Sequence, residues 1–397
     1  MKIESIRLKN FKAFKDIEMR EIPKLCVLVG ANGTGKSSLF SVFGFLKDTL
    51  SGNVNSALAK LGGARGFDEV MSRESTGSIE IELKFRAKPT KKSPLITYFL
   101  QIGKYNGRAV VEREILKYRR GSKGKAWHFL DYSLGVGQAV INELDSVTDE
   151  KDLKRESQQL KSPDILAVKG LAVDMKFPAA LLLGELIENW HLSDFHINRA
   201  RQEQDAGYAE HLSKEGENLS LVIQYLYQNN KEIFDNILSV MKKRIPGVSD
   251  VNAETSNEGK VLLKFKDGAF DEFFLSRFVS DGTIKMLAYL VLLYDSNPYP
   301  LLCVEEPENQ LYPSVLVELV EEFRGYAKRG GQVFVSTHSP DFLNATKLDE
   351  VFWLEKVNGY TQVKRAKNDK QVAAYMRNGD KMGYLWKQGF FGGVDPL

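Results

Sequence analysis

The sequence predicts an α/β fold in which a mostly parallel sheet is covered by helices on both faces. Three observations carry this prediction. The glycine-rich segment Gly30–Ser37 joins the apolar run Leu25–Val29 to a helix-like stretch that starts near Ser38. Strand-like runs and helical stretches alternate in the second half of the chain, as they do in a parallel sheet with helical crossovers. Segments between residues 77 and 118 alternate apolar and polar residues, which predicts an antiparallel meander attached to the first layer.

The strands of the first half are predicted from two kinds of pattern. Residues 1–9 alternate as a half-buried strand does, and Leu25–Val29 is the continuous apolar run of a fully buried strand. We expect both to open the α/β layer. The meander strands are expected at residues 77–87, 96–103 and 108–118, because Pro, Gly and Asn turns separate these segments.

The pattern becomes helical from about residue 135 to residue 245. Apolar residues recur with helical spacing in 177–192 and 217–242, and Pro246-Gly247 ends the region. This predicts a helical lobe. Pro163, Pro178 and several glycines interrupt any heptad pattern, which excludes a long coiled-coil arm.

The second half alternates between strand and helix. Strand signals lie at Val261–Phe265, Leu301–Val304, Gln332–Ser336 and Val351–Leu354, and helical stretches lie at 281–294 and 313–329. We expect these strands to join one parallel sheet.

Residues Gly30–Ser37 read G-A-N-G-T-G-K-S, a complete GxxxxGK[ST] phosphate loop in the strand–loop–helix context that the motif requires. In this geometry backbone N–H groups and the positive end of the helix point at bound phosphate. Lys36 is expected to contact the β- and γ-phosphates of ATP, and Ser37 to supply a hydroxyl ligand to Mg²⁺. The predicted nucleotide-binding residues are Gly30, Asn32, Gly33, Gly35, Lys36, Ser37 and Ser38.

The apolar run Leu301–Val304 leads directly into Glu305-Glu306-Pro307-Glu308, the form of a Walker B strand that ends in acids. We expect Glu305 to hold Mg²⁺ directly or through water. Glu306 is then placed to orient and deprotonate the attacking water. The alternative is an acidic loop after a core strand, but a phosphate loop in the same chain favours the catalytic interpretation.

Two further segments place polar groups beside this chemistry. His338 follows the apolar run Val333–Val335, and its imidazole is expected to face the γ-phosphate or the attacking water, although a lone histidine is usually structural. Ser280-Asp281-Gly282 opens an apolar helix. Ser280 or Asp281 is a good N-cap, while a serine and a glycine at a helix N-terminus also make an anion site.

The phosphate loop, S-D-G at a helix start, E-E-P-E after an apolar run and S-T-H-S-P follow one another along the chain. In this order they resemble the ABC-type ATPase heads of the RecF, SMC and OLD families. The resemblance is strongest to small stand-alone ATPases of that branch, which share E-E-P-E followed by L-x-P, here Leu311-Tyr312-Pro313. The opening Leu8–Phe14 also resembles the L-x-N-F-x-x-F start of those heads. The resemblance implies a P-loop NTPase of the ABC-ATPase head type with an antiparallel β subdomain and an inserted helical lobe. It divides the chain into four parts: residues 1–134 as the N-terminal part of the head, 135–245 as the lobe, 246–356 as the C-terminal part of the head, and 357–397 as a C-terminal tail.

The resemblance also implies an assembly. Two heads enclose two ATP molecules, and each site takes Walker A and Walker B from one subunit and the signature motif from the other, so Ser280 and Gly282 would act in trans. The strand of His338 would lie between the Walker A and Walker B strands. The signature reads V-S-D-G-T and not L-S-G-G-Q, which speaks against a transporter head.

The composition indicates a cellular compartment and argues against some kinds of binding site. With 43% hydrophobic and 27% charged residues, and no apolar stretch approaching eighteen residues, we expect a cytoplasmic protein without membrane association. Cys26 and Cys303 lie inside apolar runs without metal-ligand spacing, so neither a disulfide nor a zinc site is expected. A net charge of +3 is too small to indicate nucleic-acid binding by itself.

Three functional classes are compatible with these motifs. The first is an ATP-hydrolysing switch, a homodimer or higher even oligomer, which controls a protein effector such as a nuclease or toxin subunit in phage defence, as the resemblance to stand-alone relatives implies. The second is a RecF-like repair ATPase that binds DNA through basic hairpin tips at Lys88–Lys92 and Lys117–Lys125. The third is a nucleotide sensor that hardly turns over. Too few residues follow Glu305 for a Toprim nuclease domain of the OLD kind, so we expect the chain to lack its own nuclease.

Overall fold

The computed structural model describes residues 1–88, 90, 93–121, 124–145, 147–172 and 174–392. Its strands are β1 Lys2–Phe11, β2 Phe14–Arg20, β3 Leu25–Val29, β4 Ile79–Arg86, β5 Leu95–Tyr105, β6 Arg108–Tyr118, β7 Trp127–Ser133, β8 Val136–Val140, β9 Arg155–Gln159, β10 Trp190–Ser193, β11 Gln204–Asp205, β12 Val248–Thr255, β13 Lys260–Asp267, β14 Phe273–Leu275, β15 Leu301–Glu305, β16 Val333–Thr337, β17 Val351–Val357 and β18 Tyr360–Arg365. Its α-helices are α1 Lys36–Ser51, α2 Val54–Gly62, α3 Phe67–Val70, α4 Ala167–Leu171, α5 Pro178–Glu188, α6 Ile197–Ala200, α7 Leu219–Asn229, α8 Lys231–Arg244, α9 Asp281–Leu293, α10 Pro313–Lys328, α11 Pro340–Asn344, α12 Lys370–Arg377 and α13 Met382–Lys387.

The central sheet has the order β10-β15-β16-β3-β17-β18. The first five strands are parallel, and β18 pairs with β17 in the antiparallel sense. The strand that carries His338 at its end, β16, therefore lies between the Walker B strand β15 and the Walker A strand β3, as the family resemblance implied. Because the carboxyl ends of parallel strands meet at one edge of the sheet, this order brings the predicted site residues together.

Alternate residues of the central strands face two different hydrophobic cores. Cys26 and Leu28 belong to the core that includes α1, α5 and the antiparallel sheet. Leu25, Val27 and Val29 belong to the core that includes α7 to α10. Both faces are covered, which explains why this strand reads as an uninterrupted apolar run.

The antiparallel sheet has eight strands in the order β2-β1-β4-β5-β6-β7-β8-β9. The meander predicted between residues 77 and 118 is confirmed as β4, β5 and β6. The expectation that residues 1–9 open the α/β layer was wrong, because β1 pairs with β2 and β4 in the antiparallel sheet. Period-two alternation is typical of a strand in a sheet that buries one face, so it correctly predicted a strand here. It does not indicate which sheet the strand joins.

The expectation that Val261–Phe265 joins the parallel sheet was also wrong. These residues lie in β13, which pairs antiparallel with β11, β12 and β14 in a separate small sheet. The other three strands predicted for the second half lie in the central sheet as β15, β16 and β17, and the two helical stretches between them are α9 and α10.

The region 135–245 is not helical throughout. The helical spacing at 177–192 and 217–242 corresponds to α5, α7 and α8, but β8 and β9 extend the antiparallel sheet and β10 forms one edge of the central sheet. β9 reads R-E-S-Q-Q, and this polar edge strand carries no apolar alternation that a sequence pattern could reveal. The assignment of these residues to an inserted lobe stays a prediction.

The segment expected to be a C-terminal tail is part of the packed structure. β18 forms the other edge of the central sheet, and Met382, Leu385, Trp386 and Phe391 are buried in the core of α7 to α10. Residues 393–397 lie outside the described residues.

Both cysteines are buried, as expected of residues in apolar runs, and both are free. Among the helices in the described part of the chain, none combines the length and the apolar character that crossing a bilayer requires.

Candidate nucleotide-binding and catalytic site

The lysine of the phosphate loop forms its hydrogen bonds within the loop. Lys36 is 6% exposed, and its Nζ donates hydrogen bonds to the carbonyl oxygens of Gly30 and Ala31 at 2.7 and 3.1 Å. Burial lowers the pKa of Lys36, while the carboxylates of Glu306, Glu308 and Glu305 oppose that lowering. The ammonium is thus held inside the loop, and the acids at the end of β15 act on its charge. Asn32, Gly33 and Ser37 are exposed to solvent at the open side.

Gly35 is required by both conformation and space. It caps α1 with a φ of 99°, and a Cβ at this position would lie 2.8 Å from Thr361 Oγ1. Thr361 in β18 donates its hydroxyl to the carbonyl oxygen of Thr34 at 2.7 Å and its N–H to the carbonyl of Ala13. The β1–β2 turn and β18 therefore hold the phosphate loop from the side opposite its open face. Thr361 lies in no motif and carries no sequence signal of this role.

Ser37 and Glu305 are brought into direct contact. Ser37 Oγ donates to Glu305 Oε2 at 2.5 Å, although the two residues are 268 positions apart in the sequence. Burial raises the pKa of Glu305, and the hydrogen bond from Ser37 opposes the increase. A hydroxyl and a carboxylate at the open face of a phosphate loop are the oxygen ligands that Mg²⁺ prefers.

Glu306 is held in an unusual backbone conformation. Its φ is 42°, a region that side-chain-bearing residues rarely adopt, and its N–H donates to the carbonyl of Ser336 on the adjacent strand at 3.0 Å. Asn309 Nδ2 donates to Glu306 Oε2 at 3.1 Å. The strained turn directs this carboxylate out of the strand and towards His338, whose Nδ1 lies 3.4 Å from Glu306 Oε1.

A third acid of the same loop, Glu308, was quoted in the motif but given no role. Its side chain is 7% exposed. Glu308 Oε1 accepts hydrogen bonds from Thr337 Oγ1 at 2.7 Å and from the backbone N–H of His338 at 2.8 Å. No sequence signal distinguishes this buried acid from an exposed one, since E-E-P-E gives no burial pattern.

The signature segment lies at a different place on the molecule. Ser280 caps α9 by accepting the N–H of Thr283 at 3.3 Å, as an N-cap residue should. Ser280 and Gly282 line a cavity of about 810 Å³ together with Arg244, Gln310 and Tyr312. Every phosphate-loop residue is described by the structure, and none of them lines this cavity. Among the hydrogen bonds that the Ser280 hydroxyl forms in the described structure, both go to Thr283 of the same helix.

The start of α9 is fixed by its neighbours. A Cβ on Gly282 would lie 2.8 Å from the carbonyl oxygen of Gln310, so the loop after Walker B packs directly on the helix. Arg201 forms an ion pair with Asp281 at 2.6 Å and also donates to the carbonyl of Val279. Arg201, which the sequence analysis did not place in a site, supports the signature segment from the side.

Lys285 links the signature helix to the Walker B loop. It is 5% exposed, and its Nζ donates to the carbonyl of Asn309 at 2.8 Å. Burial lowers the pKa of Lys285 to about 8, and the charges of Glu308 and Glu306 oppose the decrease. A buried lysine in an otherwise apolar helix was not singled out from the sequence.

The residues fit a magnesium-bound nucleoside triphosphate. Among the described residues no cluster of three or more His, Cys, Asp or Glu side chains is arranged to hold a metal by itself. The hydroxyl of Ser37 and the carboxylate of Glu305 supply two oxygen ligands, and Mg²⁺ in nucleotide sites usually takes its other ligands from phosphate and water.

The basic clusters expected at hairpin tips lie in the loops between β4 and β5 and between β6 and β7. Pro89, Lys91, Lys92, Ser122 and Lys123 fall outside the described residues. Tyr118 stacks on Phe129 at 4.0 Å and donates to Glu143, and the Arg120 guanidinium lies over Trp127 and Phe129. These aromatic rings pack within the hairpin. Lys84, Arg86, Arg119 and Arg120 line a cavity of about 860 Å³ beside it.

Comparisons with known proteins agree with this geometry. Residues 25–344 match the sequence profile of a family described as "AAA domain, putative AbiEii toxin, Type IV TA system". The DNA replication and repair protein RecF of Lactobacillus johnsonii is 24% identical over 141 residues, which cover 34% of this chain and 37% of RecF. The match thus spans well under half of that curated relative.

The fold is similar to solved SMC heads. An SMC head bound to the C-terminal winged-helix domain of ScpA superposes with a TM-score of 0.53 at 15% identity, covering 92% of this chain and 97% of that one. An SMC head with an extended coiled coil, bound to the C-terminal domain of ScpA from Pyrococcus furiosus, gives 0.52 at 16% identity, covering 94% and 99%. With 320 matched positions, more than half of its length, the chain belongs to the AAA domain family described above, and its fold is that of the SMC heads.

Proposed function

We propose that this protein binds ATP with Mg²⁺, dimerises around two ATP molecules and hydrolyses them in order to switch a partner effector. One observation carries the proposal: the ends of three adjacent strands bring Lys36, Ser37, Glu305, Glu306 and His338 to one edge of the central sheet. These are the groups that phosphoryl transfer to water requires, namely a phosphate cradle, a metal ligand pair and a base.

Each residue has a defined task in this proposal. The Lys36 ammonium exchanges its two loop carbonyls for the β- and γ-phosphates, and Ser37 and Glu305 hold the metal. Mg²⁺, when bound, neutralises phosphate charge. Glu306 orients the attacking water and accepts its proton, and His338 contacts the terminal phosphate or that water.

The position of the signature supports an assembly of two copies. Ser280 and Gly282 face a cavity that lacks any phosphate-loop residue. In a homodimer or higher even oligomer each chain would present this surface to the nucleotide of its neighbour, so that both sites are completed only on engagement. Exposed Tyr312 and Phe278, at 79% and 73%, lie beside the same surface and suit burial between copies.

The effector is proposed from the family. Its description names a toxin–antitoxin system, which supports a role in anti-phage defence with a nuclease or toxin subunit as the switched partner. A toxin or nuclease gene adjacent to this one would identify the candidate effector for co-purification in the presence and absence of ATP.

Nucleotide binding is tested by calorimetry with Mg-ATP. Lys36→Ala is expected to abolish measurable affinity, because the loop loses its only side-chain cation for phosphate. Glu306→Gln is expected to retain binding but to release no phosphate and to accumulate as an ATP-bound dimer, measured by light scattering. Unchanged binding by Lys36→Ala would refute the assignment of the loop, and phosphate release by Glu306→Gln at the parent rate would refute the assignment of the base.

Ser280→Arg tests the action in trans. An arginine at the start of α9 is expected to block ATP-dependent dimerisation and hydrolysis while leaving ATP binding intact. Ser296→Arg is the matched control, because Ser296 is an exposed serine in the turn after the same helix. A Ser280→Arg protein that dimerises and hydrolyses ATP normally would exclude the shared site.

The basic cavity favours a second candidate, a DNA-binding ATPase. Lys84, Arg86, Arg119 and Arg120 surround about 860 Å³ of open space, which suits a phosphate backbone. Fluorescence anisotropy with labelled duplex DNA, measured at increasing salt concentration, tests this DNA-binding function. Tight binding that weakens steeply with salt and that is lost in Arg119→Gln/Arg120→Gln would support this function.

A further inference from the structure

The loop after Glu306 buries a carboxylate that the proposed chemistry does not use. Glu308 is 7% exposed in its side chain, whereas a carboxylate in the interior is unfavourable unless donors and charges surround it. Its Oε1 accepts two hydrogen bonds, from the Thr337 hydroxyl and from the His338 N–H. Both donors belong to the end of β16, so Glu308 joins the Walker B loop to the strand that carries His338.

The same carboxylate lies beside the imidazole. His338 Nδ1 is 3.5 Å from Glu308 Oε1, and both Nδ1 and Glu308 Oε2 are buried atoms that lack a hydrogen-bond partner among the described residues. The Nδ1 edge of the ring thus lies between two carboxylates, since Glu306 Oε1 is 3.4 Å from the same nitrogen. The His338 side chain is 42% exposed, so its exposed part lies away from Nδ1, on the side open to a ligand.

Lys285 supplies the positive charge that such a buried acid requires. Its Nζ donates to the carbonyl of Asn309, the residue next to Glu308, at 2.8 Å. The charge of Glu308 acts on Lys285 across this contact, and Glu308 in turn bonds the end of β16.

We propose that Glu308 is a positioning residue, which holds the His338 backbone and the Nδ1 edge of its ring so that the opposite edge faces the terminal phosphate. This inference rests on the proposed function. Glu308 does not contact the nucleotide in this proposal but acts through His338. Replacing Glu308 should therefore impair the turnover of ATP and leave the binding of ATP intact.

A double-mutant cycle in the full-length chain tests the role. Glu308→Gln and His338→Ala are each expected to lower kcat at least tenfold and to change the affinity for Mg-ATP less than threefold. The double variant should be no slower than His338→Ala, because removing the ring removes what Glu308 positions. Effects that multiply in the double variant, or parent-like turnover by Glu308→Gln, would overturn the proposal. The exposed Glu272→Gln serves as the matched control.

A second measurement does not depend on turnover. The chain has five histidines, so selective ¹⁵N labelling gives few imidazole signals, and those of His338 are identified by their absence in His338→Ala. Glu308→Gln should move the His338 signals and leave the other four in place. Unmoved His338 signals would overturn the positioning role. Failure of the parent protein to hydrolyse ATP would instead refute the proposed function, and the imidazole signals alone would then decide the role of Glu308.

Discussion

Replacing Lys285 with methionine should change how stability depends on pH. Burial lowers the pKa of Lys285 from its ordinary value of 10.5 to about 8. Between these two values the unfolded chain holds a proton that the folded chain has released, so the free energy of unfolding rises with pH. Below pH 8 both states are protonated and the full cost of the buried charge is present.

The magnitude follows from the two pKa values. At pH 7 the buried charge costs about 3.3 kcal/mol, and at pH 9 about 2 kcal/mol, since one pKa unit corresponds to about 1.36 kcal/mol. Loss of the hydrogen bond to Asn309 offsets part of the gain in Lys285→Met at pH 7, where the amine is charged, by about 1.5–3 kcal/mol. The change in the free energy of unfolding between pH 7 and pH 9 follows from the two pKa values alone.

Urea unfolding followed by circular dichroism at pH 7 and pH 9 measures this difference. The parent protein should gain about 1.3 kcal/mol relative to Lys285→Met on going from pH 7 to pH 9. Lys328→Met, at an exposed position near the end of α10, is the matched control and should follow the parent. Parallel pH profiles for the parent and Lys285→Met would refute the reasoning, because they would mean that Lys285 does not titrate in this range.

Three further outcomes are expected. Burial lowers the pKa of His191 from 6.5 to about 4, so the unfolded chain binds a proton before the folded chain does as the pH falls. In urea unfolding, the free energy of unfolding of the parent should therefore decrease by about 2.5 kcal/mol between pH 7.5 and pH 4.5. His191→Phe, which keeps an aromatic ring against Tyr299, should not show this decrease. Gly282→Ala should lower the free energy of unfolding by about 1–3 kcal/mol, since its Cβ would lie 2.8 Å from the Gln310 carbonyl oxygen. Gly325→Ala should not lower it, because the nearest neighbour of that Cβ would lie 3.7 Å away. Equal stability of the two variants would contradict the close approach at Gly282. Arg324 donates from Nε and Nη2 to the buried Glu350 carboxylate at 2.8 and 2.7 Å. Glu350→Ala should therefore lower the free energy of unfolding by about 3–5 kcal/mol. A decrease below about 1 kcal/mol, the size expected for an exposed residue, would contradict the buried ion pair.

The parts of the fold that the sequence predicted correctly have strong local signals. β3, β15 and β16 are apolar runs that enter polar motifs, and their order in the sheet followed from the family resemblance. Local pattern does not determine which sheet a strand joins, and for this reason β1 and β13 were assigned to the wrong sheet. β9 is polar throughout and β10 has only four residues, so neither strand is long or apolar enough to show a period in the sequence.

The site shows the same limit. Lys36, Ser37 and Glu305 were predicted from motifs whose chemistry fixes the residue type, and the structure places Ser37 against Glu305. Glu308, Lys285 and Thr361 act through contacts between segments far apart in sequence, and such contacts have no local signature. Their roles became apparent only from burial and hydrogen bonding.

The two carbonyl oxygens that Lys36 contacts have a consequence for affinity. They fix the ammonium at two points, so its charge is positioned within the loop by the backbone alone. In the proposed nucleotide complex, phosphate oxygens would have to replace these contacts, each of which contributes about 1.5–3 kcal/mol. That exchange would lower the affinity for phosphate by one or more factors of ten relative to a lysine without such contacts.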